Sequence, residues 1–155
     1  MRAVIQRVSS ARVDIIEEGK SRLSGSIGKG VLVLVAVCED DDIDDIKWLS
    51  SKIASLRIFE DSQAKMNLSL LDIDGEALVV SQFTLFGNVR KGCRPSFNRS
   101  APPSVAIPIY EEFLRQMREV LQKDVPSGEF GAMMDVSLVN DGPITIIIDT
   151  KDKKF

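Results

Sequence analysis

The chain has 155 residues, of which 44% are hydrophobic and 28% charged, and its net charge is −3. This length predicts one domain that can bury a core without disulfides or metals. The net negative charge argues against a protein that coats nucleic acid, but it permits binding of a short single-stranded end, where few phosphates are neutralised.

The first half of the chain is predicted to be rich in strands. Residues 2–8 and 11–16 are predicted as two paired strands with a hairpin-like turn at 17–20, and residues 24–30 as a flexible connector. The unbroken apolar run Val31–Val37 predicts a central strand that is buried on both faces.

A helix is predicted after this strand, where apolar residues recur at helical spacing from Ile43 to Leu56. The acidic segment 39–45 lies at its start, and a capping role suits the helix dipole better than a metal site does.

The second half is predicted to contain further strands around one long helix. Apolar spacing of four residues predicts an amphipathic helix over 104–123, after an irregular stretch at 87–108. The remaining predictions are strands at 56–59, 76–82, 135–139 and 144–149, a turn at 72–75, and a charged tail at 151–155 that is frayed from Lys151 to Lys154.

The order of these elements predicts an α+β fold in a single domain, residues 1–150. Strands outnumber helices and do not alternate strictly with them, which favours one large mixed sheet packed by two main helices. No run approaches roughly 18 uninterrupted apolar residues, and Met1 leads directly into a strand pattern. We therefore expect a cytoplasmic protein with no signal peptide and no membrane contact.

The absence of histidine limits the chemistry open to this chain. Without imidazole there is no Ser-His-Asp or Cys-His machinery, and the commonest metal ligand is missing. Cys38 and Cys93 lack CxxC spacing and are expected to be free thiols. We therefore expect no metal and no cofactor, and any catalysis must come from backbone groups, hydroxyls, amides or the substrate.

Two short segments stand out as a candidate site. In Asn140–Thr145, a Gly-Pro dipeptide separates two β-branched strand patterns. Proline cannot donate to a strand ladder, so it should break the sheet or lie at its edge, and Gly142 supplies the backbone freedom of a bend. Such a dipeptide is usually only a turn. However, Ser81–Leu85 also places polar side chains directly after an apolar strand pattern, and together the segments indicate a site.

These two segments, in this order, resemble the D-aminoacyl-tRNA deacylases. The resemblance extends over nearly the whole sequence. It differs at Cys93, where the family more often carries a basic residue. The other stretches that carry it are Met1–Ser9, Leu56–Glu60, Lys65–Leu71, Lys91–Phe97 and Phe130–Met134.

The resemblance implies a homodimeric, barrel-like hydrolase that cleaves D-amino acids from mischarged tRNA. In such proteins the Gly-Pro bond is cis, and the dipeptide, here Gly142-Pro143, reaches into the pocket of the partner subunit. Ser81–Leu85 would line that pocket from the other subunit, and Arg7 is similar to a family arginine that helps to hold the dipeptide. The implied substrate is the 3′-terminal aminoacyl-adenosine of tRNA, and DNA is not an expected partner.

Backbone carbonyls held by a rigid Gly-Pro dipeptide can distinguish a D-aminoacyl ester from its L counterpart. Fixed backbone carbonyls can bind the amino group of the substrate while they occupy the space that an L side chain would need. Glycine has no side chain to exclude, so we also expect hydrolysis of glycyl-tRNA, for example glycine mischarged on tRNA-Ala.

The expected catalytic groups are the side-chain amide of Gln82 and the backbone N–H groups of Phe83 and Thr84, which can stabilise an oxyanion. Thr84 is also a candidate nucleophile, but a threonine hydroxyl needs an adjacent base and the sequence offers none beside it. We therefore favour attack by water with help from the terminal ribose 2′-hydroxyl, while Ser81 and Thr84 contact the substrate.

Further candidates lie outside these segments. Phe130 could stack an adenine and Met133 could line the pocket, although both residue types more often fill a core. Tyr110 is expected to pack on its helix or at a dimer contact. The densest basic cluster is either a solvated loop or a contact for tRNA phosphates: Arg90, Lys91, Arg94 and Arg99.

Two other classes of function fit the same residues without the resemblance. A non-catalytic dimeric module that binds RNA ends or nucleotides could use the same bend and basic loop. A purely structural role would make Gly142-Pro143 a dimer contact and nothing more. Hydrolysis of D-tyrosyl-tRNA but not L-tyrosyl-tRNA would separate the enzyme from both.

Overall fold

The computed structural model describes residues 1–153 and contains seven strands and two α-helices within them. A short 3₁₀ turn follows the sixth strand. The elements in chain order are β1 (Arg2–Glu17), β2 (Lys20–Ile27), β3 (Gly30–Ala36), α1 (Ile43–Ser55), β4 (Phe59–Glu60), β5 (Met66–Leu68), β6 (Glu76–Ser81), the 3₁₀ turn (Phe83–Phe86), α2 (Pro103–Leu121) and β7 (Met134–Asp149).

Strand β1 is the centre of the main sheet. On one side it pairs antiparallel with β3 along its first half and with β2 along its second half. On the other side it pairs antiparallel with β7 along almost its full length. Strand β3 in turn pairs in parallel with β6, so the sheet is mixed, as predicted. The short strands β4 and β5 form a separate pair.

The two faces of the sheet pack into different clusters because side chains alternate along a strand. In β3, Val31, Val33 and Val35 face the main core, which is built with apolar residues of both helices. Leu32 faces a second, smaller cluster that includes Leu78 of β6. This alternation confirms that β3 is a central strand buried on both faces. The two helices and the mixed sheet confirm the α+β fold.

The predicted capping role of the acidic segment before α1 is confirmed. The Asp42 carboxylate accepts hydrogen bonds from the backbone N–H groups of Asp44 and Asp45. The Asp45 side chain accepts one from the backbone of Asp42, which completes a capping box. These carboxylates therefore satisfy the free donors of the first helical turn.

The predicted hairpin between residues 2–8 and 11–16 is wrong. Both segments belong to the single strand β1, and the exposed Ser9 and Ser10 lie at an irregularity of register rather than at a turn. The partner of the second segment is β2, which occupies part of the stretch predicted as a connector. The small and polar residues of β2 give no apolar strand pattern, because much of this strand is exposed.

Two smaller strand predictions also differ from the structure. Of the strand predicted at 56–59, only Phe59 is in β4, because α1 ends at Ser55 and its C-cap follows. The strands predicted at 135–139 and 144–149 are two parts of β7, since both pair with β1.

Within residues 1–153, no helix is both long and apolar enough to cross a bilayer.

The charged tail is held to the domain at its first residue, so the predicted fraying is wrong for Lys151. Its ammonium donates to the carbonyl oxygen of Asp40 and to the carboxylate of Asp45, each at 2.6 Å. The remainder of the tail prediction, at 154–155, lies outside the described residues, and the domain boundary at residue 150 stays a prediction.

Candidate active site

The first part of the site forms where β6 ends. Residues 77–80 of β6 are buried, and the backbone N–H of Gln82 still donates to the carbonyl oxygen of Val35 in β3, at 2.7 Å. The chain then bends into the 3₁₀ turn, which is closed by a hydrogen bond from Gly87 N to Thr84 O at 2.9 Å. This bend leaves Phe83 and Thr84 exposed at the end of a buried strand.

A cavity of about 430 Å³ opens beside this bend. The ends of β3 and β6 form one wall, and the segment Phe130–Met134 forms another. The ring of Phe130 lies 5.8 Å from that of Tyr110 on α2, measured between centroids. Most of the lining is apolar, so the cavity suits a flat, weakly hydrated group such as a nucleobase.

Five of the residues predicted for the site line this one cavity although they come from two distant parts of the sequence. They are Ser81, Gln82, Phe83, Phe130 and Met133. Phe83 and Met133 are 57% and 73% exposed, which places apolar surface at the cavity mouth rather than in the core. Their individual roles in binding or catalysis stay predictions.

The bend beside the cavity carries hydrogen-bond donors, of which Gln82 and Phe83 belong to the cavity lining. The amide nitrogen of Gln82 donates to the hydroxyl of Thr84. No side chain among the described residues caps the 3₁₀ turn, so the backbone N–H groups at its start donate to no capping side chain. The arrangement can therefore offer an amide and backbone donors to a negatively charged oxygen.

Among the described residues that line the cavity, none could act as a base at neutral pH. Tyr110 is the one titratable residue of its lining, and burial raises the pKa of the Tyr110 hydroxyl to about 12. The hydroxyl also donates to the carbonyl oxygen of Val79 at 3.3 Å. Thr84 thus has an amide beside it rather than a base, which does not favour a threonine nucleophile.

The second part of the site is the bulge that carries Gly142-Pro143. Gln6 of β1 pairs with Thr145 and Val8 with Asn140, so four residues of β7 lie opposite the single residue Arg7. The Gly142-Pro143 bond is cis, and both residues are exposed. Within the bulge, the Asn140 side chain accepts from the backbone N–H of Ile144 at 3.1 Å.

The side chain of Arg7 on β1 holds this bulge through contacts with Asp141. The residue is 5% exposed, and its Nε donates to the carbonyl oxygen of Asp141 at 3.1 Å. The same nitrogen lies 3.0 Å from the Asp141 carboxylate, and Nη1 donates to the carbonyl oxygen of Ile58 at 2.8 Å. These contacts fix the backbone immediately before the dipeptide.

The two parts of the site do not meet within one chain. Arg7 and Asp141 line a separate hollow of about 90 Å³, and neither Gly142 nor Pro143 lines the larger cavity. The structure therefore brings together the residues around Ser81 and Phe130, and separately those around Arg7 and Gly142.

Sequence reasoning missed the contribution of α2 and the loop before it. Ala106 and Tyr110 are one helical turn apart, and both line the cavity together with Ala101. The helical spacing predicts that Ala106 and Tyr110 share a face. It does not predict that this face meets the ends of β3 and β6, because that depends on how the helix packs.

A cluster of possible metal ligands lies elsewhere, with the sulfur of Cys38 and the carboxylates of Asp40 and Asp41 within 4.8 Å of one another. Burial raises the pKa of the Cys38 thiol to about 12, so the thiol is a hydrogen-bond donor at neutral pH and not a thiolate ligand. Asp41 accepts from the N-terminal ammonium and from the Cys38 backbone. These partners explain the cluster without a cation.

Comparisons with known structures show the class of fold: a small α+β domain. A solved structure titled as that of a probable eukaryotic D-amino acid tRNA deacylase has a TM-score of 0.79 over 95% of this chain and 97% of its own, and at 20% identity it shows the fold alone. A structure titled "c-Myc DNA Unwinding Element Binding Protein" is 38% identical, with a TM-score of 0.87 and coverage of 96% and 98%.

Residues 4–149 match the family described as D-Tyr-tRNA(Tyr) deacylase, and the chain belongs to this family of hydrolases. A relative in Thermosipho africanus named D-aminoacyl-tRNA deacylase is 57% identical over 97% of this chain and 98% of its own length. One of the same name in Porphyromonas gingivalis is 54% identical over 99% and 100%. The resemblance found in the sequence is confirmed.

Proposed function

We propose that the protein hydrolyses the ester bond of D-aminoacyl-tRNA and releases the free D-amino acid and tRNA. The observation that carries this proposal is the apolar cavity beside Ser81 and Gln82. It has backbone and amide donors beside it, and no residue of its lining within the described part of the chain has an ionisable group of ordinary pKa. An aminoacyl ester is already activated, so a site that chiefly stabilises an oxyanion suits it. The names of the relatives point to the same substrate.

The reaction needs only groups that are present in the site or on the substrate. A water molecule forms a bond to the ester carbonyl carbon, and the developing oxyanion accepts hydrogen bonds from the Gln82 amide and from the backbone N–H groups of Phe83 and Thr84. The bond to the ribose 3′-oxygen then breaks. The proton lost by the water reaches that oxygen through the neighbouring 2′-hydroxyl. One well-placed donor to an oxyanion can lower the barrier by about 3 kcal/mol.

The terminal adenosine is the natural occupant of the apolar cavity in this proposal. Phe130 offers a partly exposed ring that packs against the buried ring of Tyr110, and Met133 offers a flexible apolar side chain at the mouth. Stacking of a base on an aromatic ring contributes about 1–3 kcal/mol. The ester would then lie near Gln82, at the entrance.

Selectivity for the D-ester is proposed to come from a second copy of the chain. Gly142 and Pro143 are exposed on the outer strand β7, far enough from their own cavity that they do not line it. Val139 and Ile147 of the same strand are 57% and 46% exposed. We propose that two copies associate so that the dipeptide of each reaches the cavity of the other.

In such a dimer, the backbone carbonyls of the bulge would form a wall beside the substrate Cα. They would bind the amino group of a D-residue and collide with the side chain of an L-residue. Glycyl-tRNA carries no side chain and should also be hydrolysed. Because tRNA is the substrate, we propose that the protein works in the cytoplasm.

The experiment that tests the function compares release of amino acid from D-tyrosyl-, L-tyrosyl- and glycyl-tRNA. The proposal expects turnover of the D-ester and of glycine, and no acceleration for the L-ester. Binding of tRNA without turnover of any ester would favour the non-catalytic module instead. Equal hydrolysis of both tyrosyl esters would reject the chiral wall while retaining the esterase.

A hybrid dimer tests whether the site is shared between subunits. Gln82→Ala removes a cavity donor, and Gly142→Ala alters the dipeptide, so each variant alone should be weak. After unfolding and refolding of an equal mixture, half of the dimers contain one intact cavity facing one intact dipeptide, which restores about a quarter of wild-type turnover. No recovery, with mixed dimers present, would contradict the shared site.

A further inference from the structure

A loop that follows the 3₁₀ turn concentrates positive charge. We call residues 88–99 the basic arm. No acidic residue occurs between Glu76 and Glu111, although the chain as a whole has a net charge of −3. The arm lies within this segment and carries all of its basic side chains: Arg90, Lys91, Arg94 and Arg99.

The charges of the arm are not paired with carboxylates in the described part of the chain. Of the ion pairs formed among residues 1–153, none includes Arg90, Lys91 or Arg94, and all three side chains are exposed. Most other arginines contact a carboxylate: Arg2, Arg7, Arg12, Arg22, Arg115 and Arg118. Free guanidinium groups therefore cluster where an external anion can reach them.

The base of the arm is ordered by backbone contacts. Asn88 and Ser96 exchange two backbone hydrogen bonds, of 2.8 and 3.0 Å, which close the loop between them. The Asn88 side chain also accepts from the backbone N–H of Arg90 at 2.9 Å. The positive side chains are thus presented from a closed loop rather than from an extended linker.

The arm is packed directly on the candidate active site. The ring of Phe97 meets that of Phe83 edge-on, with centroids 5.1 Å apart. Ser100 Oγ, just beyond the arm, donates to the carbonyl oxygen of Phe83 at 3.0 Å. The next residue, Ala101, lines the cavity. The C-terminal side of the arm therefore lies beside a substrate held at Phe83.

We propose that the basic arm binds phosphates of the tRNA acceptor end while the terminal aminoacyl-adenosine occupies the cavity. This inference rests on the proposed function. A polynucleotide whose last residue enters the cavity must leave it across the mouth, and its remaining phosphates then need cationic partners nearby. Arg90, Lys91 and Arg94 supply three such partners, so the arm distinguishes an ester on tRNA from the same ester on a lone adenosine.

The test uses a variant with R90Q, K91Q and R94Q, and a control with K20Q, K47Q and K65Q. Both remove three positive charges. The control lysines lie at the start of β2, on α1 and before β5, and none forms an ion pair among the described residues. Arg99 is kept because its guanidinium packs 5.4 Å from the centroid of Phe86.

Hydrolysis is measured on D-tyrosyl-tRNA and on D-tyrosyl-adenosine, which lacks the phosphates. The arm variant should lose about tenfold or more in kcat/KM on the tRNA ester at low salt, and nothing on the adenosine ester. For the arm variant, the slope of log kcat/KM on the tRNA ester against log salt concentration should become shallower by about 2, since each of three single-stranded phosphate contacts contributes about 0.7 to this slope. The control variant should match the wild type on both substrates.

Three results would overturn the inference: no loss on tRNA, an equal loss on both substrates, or an equal loss in the control. The last would indicate a general effect of charge. If the wild type hydrolyses neither ester, the proposed function fails. The role of the arm is then decided by the affinity for uncharged tRNA, measured as a function of salt concentration. An equal salt dependence of this affinity in the arm variant and the wild type would reject phosphate binding by the arm.

Discussion

The buried guanidinium of Arg7 fixes Asp141, the residue that immediately precedes the exposed Gly142-Pro143 bond. Its Nε donates to the Asp141 carbonyl oxygen at 3.1 Å and lies 3.0 Å from the carboxylate. Its Nη1 donates to the carbonyl oxygen of Ile58 at 2.8 Å, which ties the same side chain to the loop before β4. A residue of β1 therefore determines where the dipeptide projects from β7.

Arg7→Lys should separate this positioning role from charge alone. Lysine keeps the positive charge but cannot reproduce the planar set of donors. We expect kcat/KM for D-tyrosyl-tRNA to fall at least about tenfold, with a stability loss of about 1–3 kcal/mol from the unpaired buried carbonyl. Arg12→Lys, which alters the ion pair of an exposed arginine with Asp14 on the same strand, is the control. Wild-type activity and selectivity in Arg7→Lys would show that the dipeptide does not depend on this contact.

Gly142→Ala should impair activity as well as stability, whereas an equally strained substitution elsewhere should impair stability alone. Gly142 has φ +122°, a conformation that L side chains rarely adopt, and an added Cβ would lie 3.1 Å from Arg7 Nη2 and 2.9 Å from the Ile144 side chain. The backbone strain costs about 1–3 kcal/mol, and we expect a loss of about 100-fold in kcat/KM for the D-ester. Gly19→Ala, at φ +74° with nothing nearby, is the matched control for strain alone. Comparable activity in the two variants would contradict a role for the dipeptide.

Thr84→Ala should retain most turnover. The Thr84 hydroxyl accepts a hydrogen bond from the Gln82 amide, and no base lines the cavity beside it. Loss of one such contact corresponds to a change in kcat of no more than about tenfold, whereas loss of an oxyanion donor in Gln82→Ala corresponds to about 100-fold. Single-turnover hydrolysis of D-tyrosyl-tRNA gives both values. A complete loss in a folded Thr84→Ala protein would instead support a threonine nucleophile.

The pH profile of kcat should show no enzyme group that titrates between about pH 6 and pH 9. Tyr110 is the titratable residue of the cavity lining, and burial raises its pKa to about 12, so it stays protonated throughout this range. Any inflection should belong to the α-amino group of the substrate, and Tyr110→Phe should leave it in place. An inflection that moves in Tyr110→Phe would disprove this assignment.

Acid should destabilise the protein partly through Asp45. Burial opposes ionisation of this carboxyl, but hydrogen bonds from Lys151, Thr150 and the Asp42 backbone hold its pKa below the ordinary value of 3.8. The stabilisation is therefore present above pH 3.8 and is lost as the pH falls through the lower folded-state pKa. Asp45→Asn should lower the urea midpoint at pH 7 by on the order of 1 M, and this difference should shrink at acid pH.

The exposed Asp44→Asn is the control for this experiment, since it changes the same charge in the same helical turn. A constant difference between Asp45→Asn and the wild type down to low pH would show that Asp45 does not titrate with unfolding.

The sequence by itself determined the elements whose signal is local. The apolar run of β3, the capping box of α1 and the spacing of α2 each depend on neighbouring residues, because burial and hydrogen bonding repeat with the period of the strand or helix. The two motifs around Ser81 and Gly142 were also apparent in the sequence, and with their flanks they were sufficient to indicate the family.

Only the tertiary structure decided how these parts are assembled. It joined residues 2–17 into one strand and residues 134–149 into another, with the bulge of Gly142 opposite Arg7. It also brought Tyr110 to the cavity and kept the dipeptide away from it. Pairing partners and cavity walls depend on contacts between residues far apart in the chain, and side-chain periodicity carries no information about which distant strand or helix face will meet.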